Sequence, residues 1–270
     1  MAALAKIRTR YEKYMKDVVN DRNVKDIISD WENGRSDNFV DQQGFKFYPG
    51  TLGATINGKP VFQVFLEKNT IVRICENQEH VAFIPAGFNR GKDQSKTLTD
   101  ADIDSLTVRS DSATSVINPI QHRFAGNSAL MSLLHVLVIP KQRIFNAVTL
   151  RNKGYNYSSA QALGRQALQM LKDAPSDTAG SLSFWLKDGK LKAREEDMAS
   201  NCALPEDAEM HSIDHKYSFH VYGDNSIGYL HMHVYDGSLL TKAYEEMGGN
   251  KKNTDVNAVK QWASESQLRF

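Results

Sequence analysis

The stretch Ser226-Ile-Gly-Tyr-Leu-His231-Met-His233-Val-Tyr235 is the most informative pattern in this chain of 270 residues. Polar or aromatic residues alternate with aliphatic ones, which is the period of a β-strand that has one face against a core. The pattern predicts that Tyr229, His231, His233 and Tyr235 project from one face, with the two imidazoles about 7 Å apart. Paired imidazoles on a rigid strand suit a nucleophilic site or a metal site.

The residues upstream predict a hairpin that ends in this strand. Tyr217–Tyr222 has strand composition, and Gly223-Asp-Asn225 is a turn signal. Backbone N–H groups of the turn, together with Asn225 and the Ser226 hydroxyl, could line an anion pocket beside the imidazoles. In one register of the hairpin, His220 faces His231, and three imidazoles on two strands would suit a metal. These strands offer no carboxylate at matching spacing, so the sequence favours a site without a metal.

The rest of the chain alternates between strand and helix patterns. Leu133–Pro140 is typical of a buried strand, and Ser158–Leu171 is typical of an amphipathic helix. Asn57-Gly58 predicts a hairpin turn within a strand pair over 54–66. Further strands are expected at 44–49, 70–75, 80–85 and 182–186, and further helices at 3–33, 144–148, 238–247 and 255–268.

Composition limits the class of protein. Lys plus Arg is 33 and Asp plus Glu is 32, so the net charge of +1 gives no bulk attraction to nucleic acid or anionic lipid. No apolar run is long enough to span a membrane, and the charged N-terminal residues lack the apolar region of a secretory signal. We expect a cytoplasmic protein with a small-molecule substrate, without nucleic-acid or membrane partners. The predicted organisation is an N-terminal helical extension (1–40), a main domain (41–236) with an insertion at about 86–128, and a C-terminal helical tail (237–270).

Two segments together resemble the histidine triad family. Tyr229-Leu-His231-Met-His233-Val-Tyr235 resembles the family signature, in which three histidines alternate with apolar residues. Leu134-His135-Val-Leu-Val-Ile-Pro-Lys141 resembles an earlier strand of the same family, and Asn118-Pro119 resembles the turn before that strand. The resemblance implies an α+β fold, with an antiparallel half-barrel sheet and packed helices. The N-terminal helix and the long insertion would be additions to this fold.

The resemblance also implies roles for individual residues. His231 matches the nucleophile that attacks phosphorus, and His233 matches a histidine that contacts phosphate oxygen. Ser226 matches a hydroxyl that binds phosphate or the leaving group. The other implied substrate-binding residues are Asn225, His135, Asn118 and Lys141. The family chemistry implies no metal and no cofactor, and a homodimer is expected by analogy alone.

Three positions depart from the family pattern. Tyr229 replaces the first histidine, Leu134 replaces a glycine, and Arg143 replaces a histidine after Pro-Lys. A phenol with a pKa near 10 is a poor proton shuttle at neutral pH. Either the first histidine is dispensable here or the reaction has changed.

The sequence therefore favours a hydrolase that acts on a nucleotide, a phosphoramidate or a phosphoanhydride through His231, with His233 and Tyr229 as further catalytic residues. One alternative is a repurposed enzyme, in which histidine and tyrosine perform acid–base chemistry on a non-nucleotide molecule of specialised metabolism by elimination, ring opening or hydrolysis. The other alternative is a nucleotide-binding protein without catalysis. A nucleotidyl transferase is less favoured, because His233 occupies a position where transferases of the family tend to have glutamine.

Overall fold

The computed structural model describes residues 2–39, 52–53, 55–56, 58–67, 73–83, 131–132, 134–173, 186–187, 190–191, 212–225, 227–241, 244 and 249–265. The chain is an α+β protein with an open antiparallel sheet and helices packed against it. The helical segments are α1 (Ala2–Tyr14), a π-helical turn (Met15–Val19), α2 (Arg22–Glu32), α3 (Val61–Glu67), a 3₁₀ helix (Ala147–Asn152), α4 (Tyr157–Asp173), α5 (Gly249–Lys252) and α6 (Val256–Glu265).

Within the described residues, the main sheet has six strands in the order β10-β8-β9-β5-β4-β3, and every neighbouring pair is antiparallel. Two short hairpins, β1–β2 and β6–β7, lie outside it. The strands are β1 (Thr55–Ile56), β2 (Lys59–Pro60), β3 (Arg73–Glu76), β4 (His80–Phe83), β5 (His135–Pro140), β6 (Leu186–Lys187), β7 (Lys190–Leu191), β8 (His215–His220), β9 (Met232–Asp236) and β10 (Asn253–Asp255).

The centre of the sheet is the pair β5–β9, and both strands are buried along their whole length. Helix α4 packs against β9 at Gly164, where an added Cβ would lie 2.6 Å from Val234 Cγ2. Alternate residues of a strand point to opposite faces. His233, next to Val234, therefore projects from the face opposite α4, and we call that face of the sheet the histidine-bearing face.

The N-terminal helices belong to the same hydrophobic core as the sheet. Asp21 caps α2 by accepting hydrogen bonds from the N–H groups of Asn23 and Val24. At the other end of α2, Trp31 is fully buried and its indole N–H donates to Gln63 Oε1 at 2.7 Å. Trp31 thereby joins the N-terminal helices to α3.

Several predicted elements are confirmed. The strands at 80–85 and 133–140, the helix at 158–171 and the histidine hairpin correspond to β4, β5, α4 and β8–β9. The hairpin predicted from Asn57-Gly58 is also confirmed by its described residues, because Gly58 has φ = 84° and β1 pairs with β2. The predicted strand at 44–49, the first four residues of the predicted strand at 182–186 and the whole insertion at 86–128 lie outside the described residues.

Other expectations are wrong. Residues 61–66 form α3 and not a strand: the pairing of β2 with β1 ends at Pro60, directly before the helix. The helix expected at 144–148 is a 3₁₀ helix that begins at Ala147. The tail was expected to hold only helices, yet Asn253–Asp255 is the edge strand β10, and Leu240 forms a β-bridge with Ser132. A strand of three residues is too short to show a recognisable alternation, so the sequence does not predict β10.

Candidate functional site

Four histidines from neighbouring strands meet on the histidine-bearing face of the sheet. The register pairs Ser218 of β8 and Leu137 of β5 with His233, and continues to put His220 beside His231. The rings of His220 and His233 are 4.2 Å apart between centroids, and those of His231 and His233 are 4.9 Å apart. The rings of His220 and His231 lie edge-on with centroids 6.1 Å apart, which confirms the expectation that His220 faces His231. We call His135, His220, His231 and His233 the imidazole cluster.

The predicted strand over 226–235 is shorter in the structure, because β9 begins only at Met232. The preceding residues are held in place by other contacts. Ile227 forms a β-bridge with Gly53, and the Leu230 N–H donates to Ile144 O at 2.8 Å. An added Cβ on Gly228 would lie 2.1 Å from Leu52 O, so only glycine allows this close approach. These contacts fix the backbone that carries His231.

His231 presents an unprotonated nitrogen. Its Nδ1 lies 2.8 Å from Tyr229 O, and a carbonyl oxygen only accepts, so Nδ1 carries the proton and donates. Burial lowers the pKa of His231 to about 4, which keeps the ring neutral at pH 7. Its Nε2 therefore has a lone pair. The Phe62 ring contacts the imidazole edge-on, with centroids 4.9 Å apart, and the side chain is 6% exposed.

His233 presents the opposite group, an N–H donor. The Met131 N–H donates to His135 Nδ1 at 3.3 Å, so the proton of a neutral His135 is on Nε2. His135 Nε2 lies 3.1 Å from His233 Nδ1 and donates to it. The proton of neutral His233 is then on Nε2, which is buried without a hydrogen-bond partner. Burial and the neighbouring imidazoles hold the pKa of His233 well below its usual value.

His220 completes the cluster from β8. Its Nε2 lies 2.9 Å from Asn253 Oδ1, while Asn253 Nδ2 faces Met131 Sδ and Tyr235 Oη. The amide therefore accepts from His220 Nε2, and Nδ1 of His220 keeps its lone pair. Burial lowers the pKa of His220 to about 3, with His231 as a further cause. Asn253 was missed by sequence reasoning, because its position depends on the pairing of β10 with β8.

Tyr229 does not share the site, contrary to the sequence expectation. Its hydroxyl donates to Pro140 O at 3.0 Å, and its ring packs edge-on against Trp31 with centroids 5.2 Å apart. The side chain is 1% exposed, and burial raises the pKa of Tyr229. The residue precedes β9, so strand alternation does not govern its direction. Its expected catalytic role is therefore corrected to a structural one.

Of the other expected binding residues, the structure describes Lys141 and Asn225, and it engages both in contacts outside the cluster. Lys141 forms an ion pair with Glu76 at 2.9 Å. Lys141 lies six residues after His135, which along an extended strand puts it about 20 Å from that histidine. Asn225 is used within its turn, where it accepts from Gly223 N–H and donates to Ile227 O. Ser226 and Asn118 lie outside the described residues.

Comparison with protein-family models, with curated proteins and with solved structures gives no significant match for this chain. The resemblance to the histidine triad family therefore remains a prediction from the residues. Among the described residues, no helix is both long enough and apolar enough to cross a membrane.

Proposed function

We propose that this protein is a hydrolase that cleaves a bond to phosphorus in a nucleotide-like substrate, with His231 Nε2 as the nucleophile. The observation that carries the proposal is that two neighbouring ring nitrogens, one on His231 and one on His233, have opposite hydrogen-bonding roles. A bare lone pair on His231 lies beside a buried, unpartnered N–H on His233. An electrophilic centre that carries negatively charged oxygens needs this combination of nucleophile and donor.

The reaction would proceed in two displacements. The Nε2 lone pair of His231 attacks phosphorus, the bond from phosphorus to the leaving group breaks, and its electron pair departs with that group. The His233 N–H hydrogen-bonds a phosphoryl oxygen. Water then attacks the phosphohistidine, the P–N bond breaks with its electron pair returning to His231, and the proton that the water loses passes to solvent. The Nδ1 hydrogen bond to Tyr229 O holds the ring in the required tautomer and orientation.

The finer description of the fold belongs to the same proposal. We infer that the open sheet is a half-barrel of the histidine triad type. Its support is the order of the two resembling segments along the chain and their pairing as neighbouring strands. The proposed activity does not depend on this assignment, because it rests on the two ring nitrogens.

The test is a search for the covalent intermediate. Tag-free protein is mixed with adenosine phosphoanhydrides and phosphoramidates, quenched on the millisecond scale and analysed by intact mass. We expect a phosphorus adduct on His231 and steady-state turnover. His231→Ala should remove the adduct and lower kcat by several orders of magnitude. His215→Ala, which removes a histidine of β8 outside the cluster, is the matched control and should retain both.

The alternatives predict different results. Acid–base chemistry on a carbon substrate would give no phosphorus adduct, and the engaged hydroxyl of Tyr229 speaks against a tyrosine acid in that reaction. A nucleotide-binding protein without catalysis would bind nucleotide equally well after His231→Ala and show no turnover in either form. Either result would end the hydrolase proposal.

A further inference from the structure

The imidazole cluster also has the arrangement of a metal site. His220, His231 and His233 each offer one ring nitrogen, and the three atoms all lie within 4.8 Å of one another. A tetrahedral Zn²⁺ with Zn–N bonds of about 2.1 Å needs ligand nitrogens roughly 3.4 Å apart. Side-chain rotations that move each nitrogen by less than about 1 Å would bring the three nitrogens to the spacing that the ion needs.

We propose that His220, His231 and His233 together bind one divalent transition-metal ion of the zinc class. The metal site stands independently of the hydrolase proposal. If both hold, metal and substrate compete, because the ion would occupy the lone pair of His231 Nε2 that the hydrolytic reaction requires.

The second nitrogen of each ring supports this assignment. His231 Nδ1 donates to Tyr229 O, His220 Nε2 donates to Asn253 Oδ1, and His233 Nδ1 contacts His135 Nε2. Metal-binding histidines almost always have such an outer partner, which orients the ring toward the ion. Here the three outer partners come from different segments, and each leaves one nitrogen of its histidine available to the ion.

In one of the three rings, the proton must move from the ligand nitrogen to the other ring nitrogen before the ion can bind. His233 Nε2 carries a proton in the tautomer chain that begins at the Met131 N–H. Metal binding requires this proton on Nδ1, which then donates to His135 Nε2, while the proton of His135 moves to Nδ1. Every ring keeps one proton, so none is released. What is lost is the long contact of 3.3 Å from Met131 N to His135 Nδ1.

The ligand type selects the ion. Within the described residues, this ligand group contains imidazoles alone, without a carboxylate or a thiolate. Nitrogen ligands suit Zn²⁺, Cu²⁺, Ni²⁺ and Co²⁺, whereas Mg²⁺ and Ca²⁺ prefer oxygen. Three neutral ligands leave the full charge of the ion uncompensated and a fourth position for water or an anion.

The test measures metal binding without substrate. Tag-free protein, stripped with chelator, is titrated with Co²⁺ at pH 7.5 and followed by its visible absorption, then titrated with Zn²⁺ by calorimetry. We expect one equivalent of either ion, a tetrahedral Co²⁺ spectrum and a rise in Tm with Zn²⁺. His220→Phe should weaken binding by at least about 100-fold, and Asn253→Ala by about 10-fold or more.

The matched control is His215→Phe, which replaces a histidine of the same strand outside the cluster and should bind like the wild-type protein. Circular dichroism checks that each variant is folded. His231→Phe gives a second ligand variant if His220→Phe does not fold. The proposal is overturned if the wild-type protein binds no stoichiometric ion, if folded ligand variants bind as tightly as the wild type, or if His215→Phe loses binding as they do. None of these measurements requires turnover, so a failure of the metal proposal can be told apart from a failure of the hydrolase proposal.

Discussion

Tyr229 shows how a single position can look catalytic in the sequence and be structural in the fold. It occupies the place of the first histidine in the resembling motif, yet its hydroxyl donates to Pro140 O and its ring packs on Trp31. Alternation along a strand predicts a common direction only where the strand exists, and β9 starts three residues later. The sequence identified His231 and His233 as neighbours, but it could not show where regular pairing begins.

The first prediction concerns the hydroxyl of Tyr229. Tyr229→Phe should lower the free energy of unfolding by about 1–3 kcal/mol, because the buried Pro140 carbonyl loses its donor. It should leave kcat within about threefold of wild type. Urea unfolding and steady-state kinetics measure the two effects. Tyr217→Phe is the control: its hydroxyl accepts from exposed Arg165, and we expect a change within about 0.5 kcal/mol. A large loss of kcat with unchanged stability would instead restore a catalytic role for Tyr229.

The second prediction concerns the leaving group. Cleavage of a phosphoramidate expels an amine that must be protonated, whereas a phosphoanhydride expels a phosphate whose second pKa is about 6 and which leaves as an anion. The Tyr229 hydroxyl is engaged elsewhere, and burial raises its pKa, so it supplies no proton. We expect kcat/KM for an adenosine phosphoanhydride to exceed that of the matched phosphoramidate by at least about 10-fold. Equal or reversed values would mean that another residue protonates the leaving group.

At the scale of elements, the close contact between α4 and β9 sets the position of the site. Gly164 allows the helix to approach Val234, the residue beside His233, so closely that an added Cβ would lie 2.6 Å from Val234 Cγ2. Helical periodicity predicted the helix, but nothing in the pattern marks Gly164 as the contact point, because the packing partner lies 70 residues away.

The third prediction tests this contact. Gly164→Ala should destabilise the protein by about 1–3 kcal/mol, because overpacking outweighs the gain in helix propensity of about 1 kcal/mol. Urea unfolding provides the measurement. Gln166→Ala on the exposed side of the same helix is the control and should change stability by less than about 0.5 kcal/mol. If Gly164→Ala is stabilising, the helix and strand can separate without cost, and the contact does not fix the site.

At the scale of the whole molecule, sequence patterns predicted the elements more reliably than their assembly. The hairpin β8–β9, the strand β5 and the pairing of imidazoles follow from alternation and turn residues. The edge strand β10 and its Asn253 are too short and too polar to give a periodic signal. The burial of Trp31 against Tyr229 likewise depends on contacts between distant segments, which periodicity does not encode. The N-terminal helices consequently share one core with the sheet, although the sequence reads them as an extension.

The fourth prediction concerns the stability of the whole molecule against acid. His80 lies on β4, 2% exposed, with its ring edge-on to Tyr155, and burial lowers its pKa. A histidine whose folded pKa lies below its unfolded value of about 6.5 leaves stability unchanged above that pH. As the pH falls from about 6.5 toward the lower folded pKa, the unfolded chain takes up a proton that the folded chain does not, so the free energy of unfolding decreases.

Urea unfolding of the wild type at pH 7.5, 6.5, 5.5 and 5.0 should therefore show a decline that begins near pH 6.5, to which His80 and the buried histidines His220, His231 and His233 all contribute. The range stays above the usual pKa of carboxyl groups, so their protonation contributes little. His80→Phe keeps an aromatic ring against Tyr155 and removes the titrating group, and we expect a shallower decline for this variant. Parallel curves for the two proteins would show that His80 is protonated as easily in the fold as in the unfolded chain. Its burial on β4 would then carry no electrostatic cost, and the acid sensitivity would have to arise from other groups.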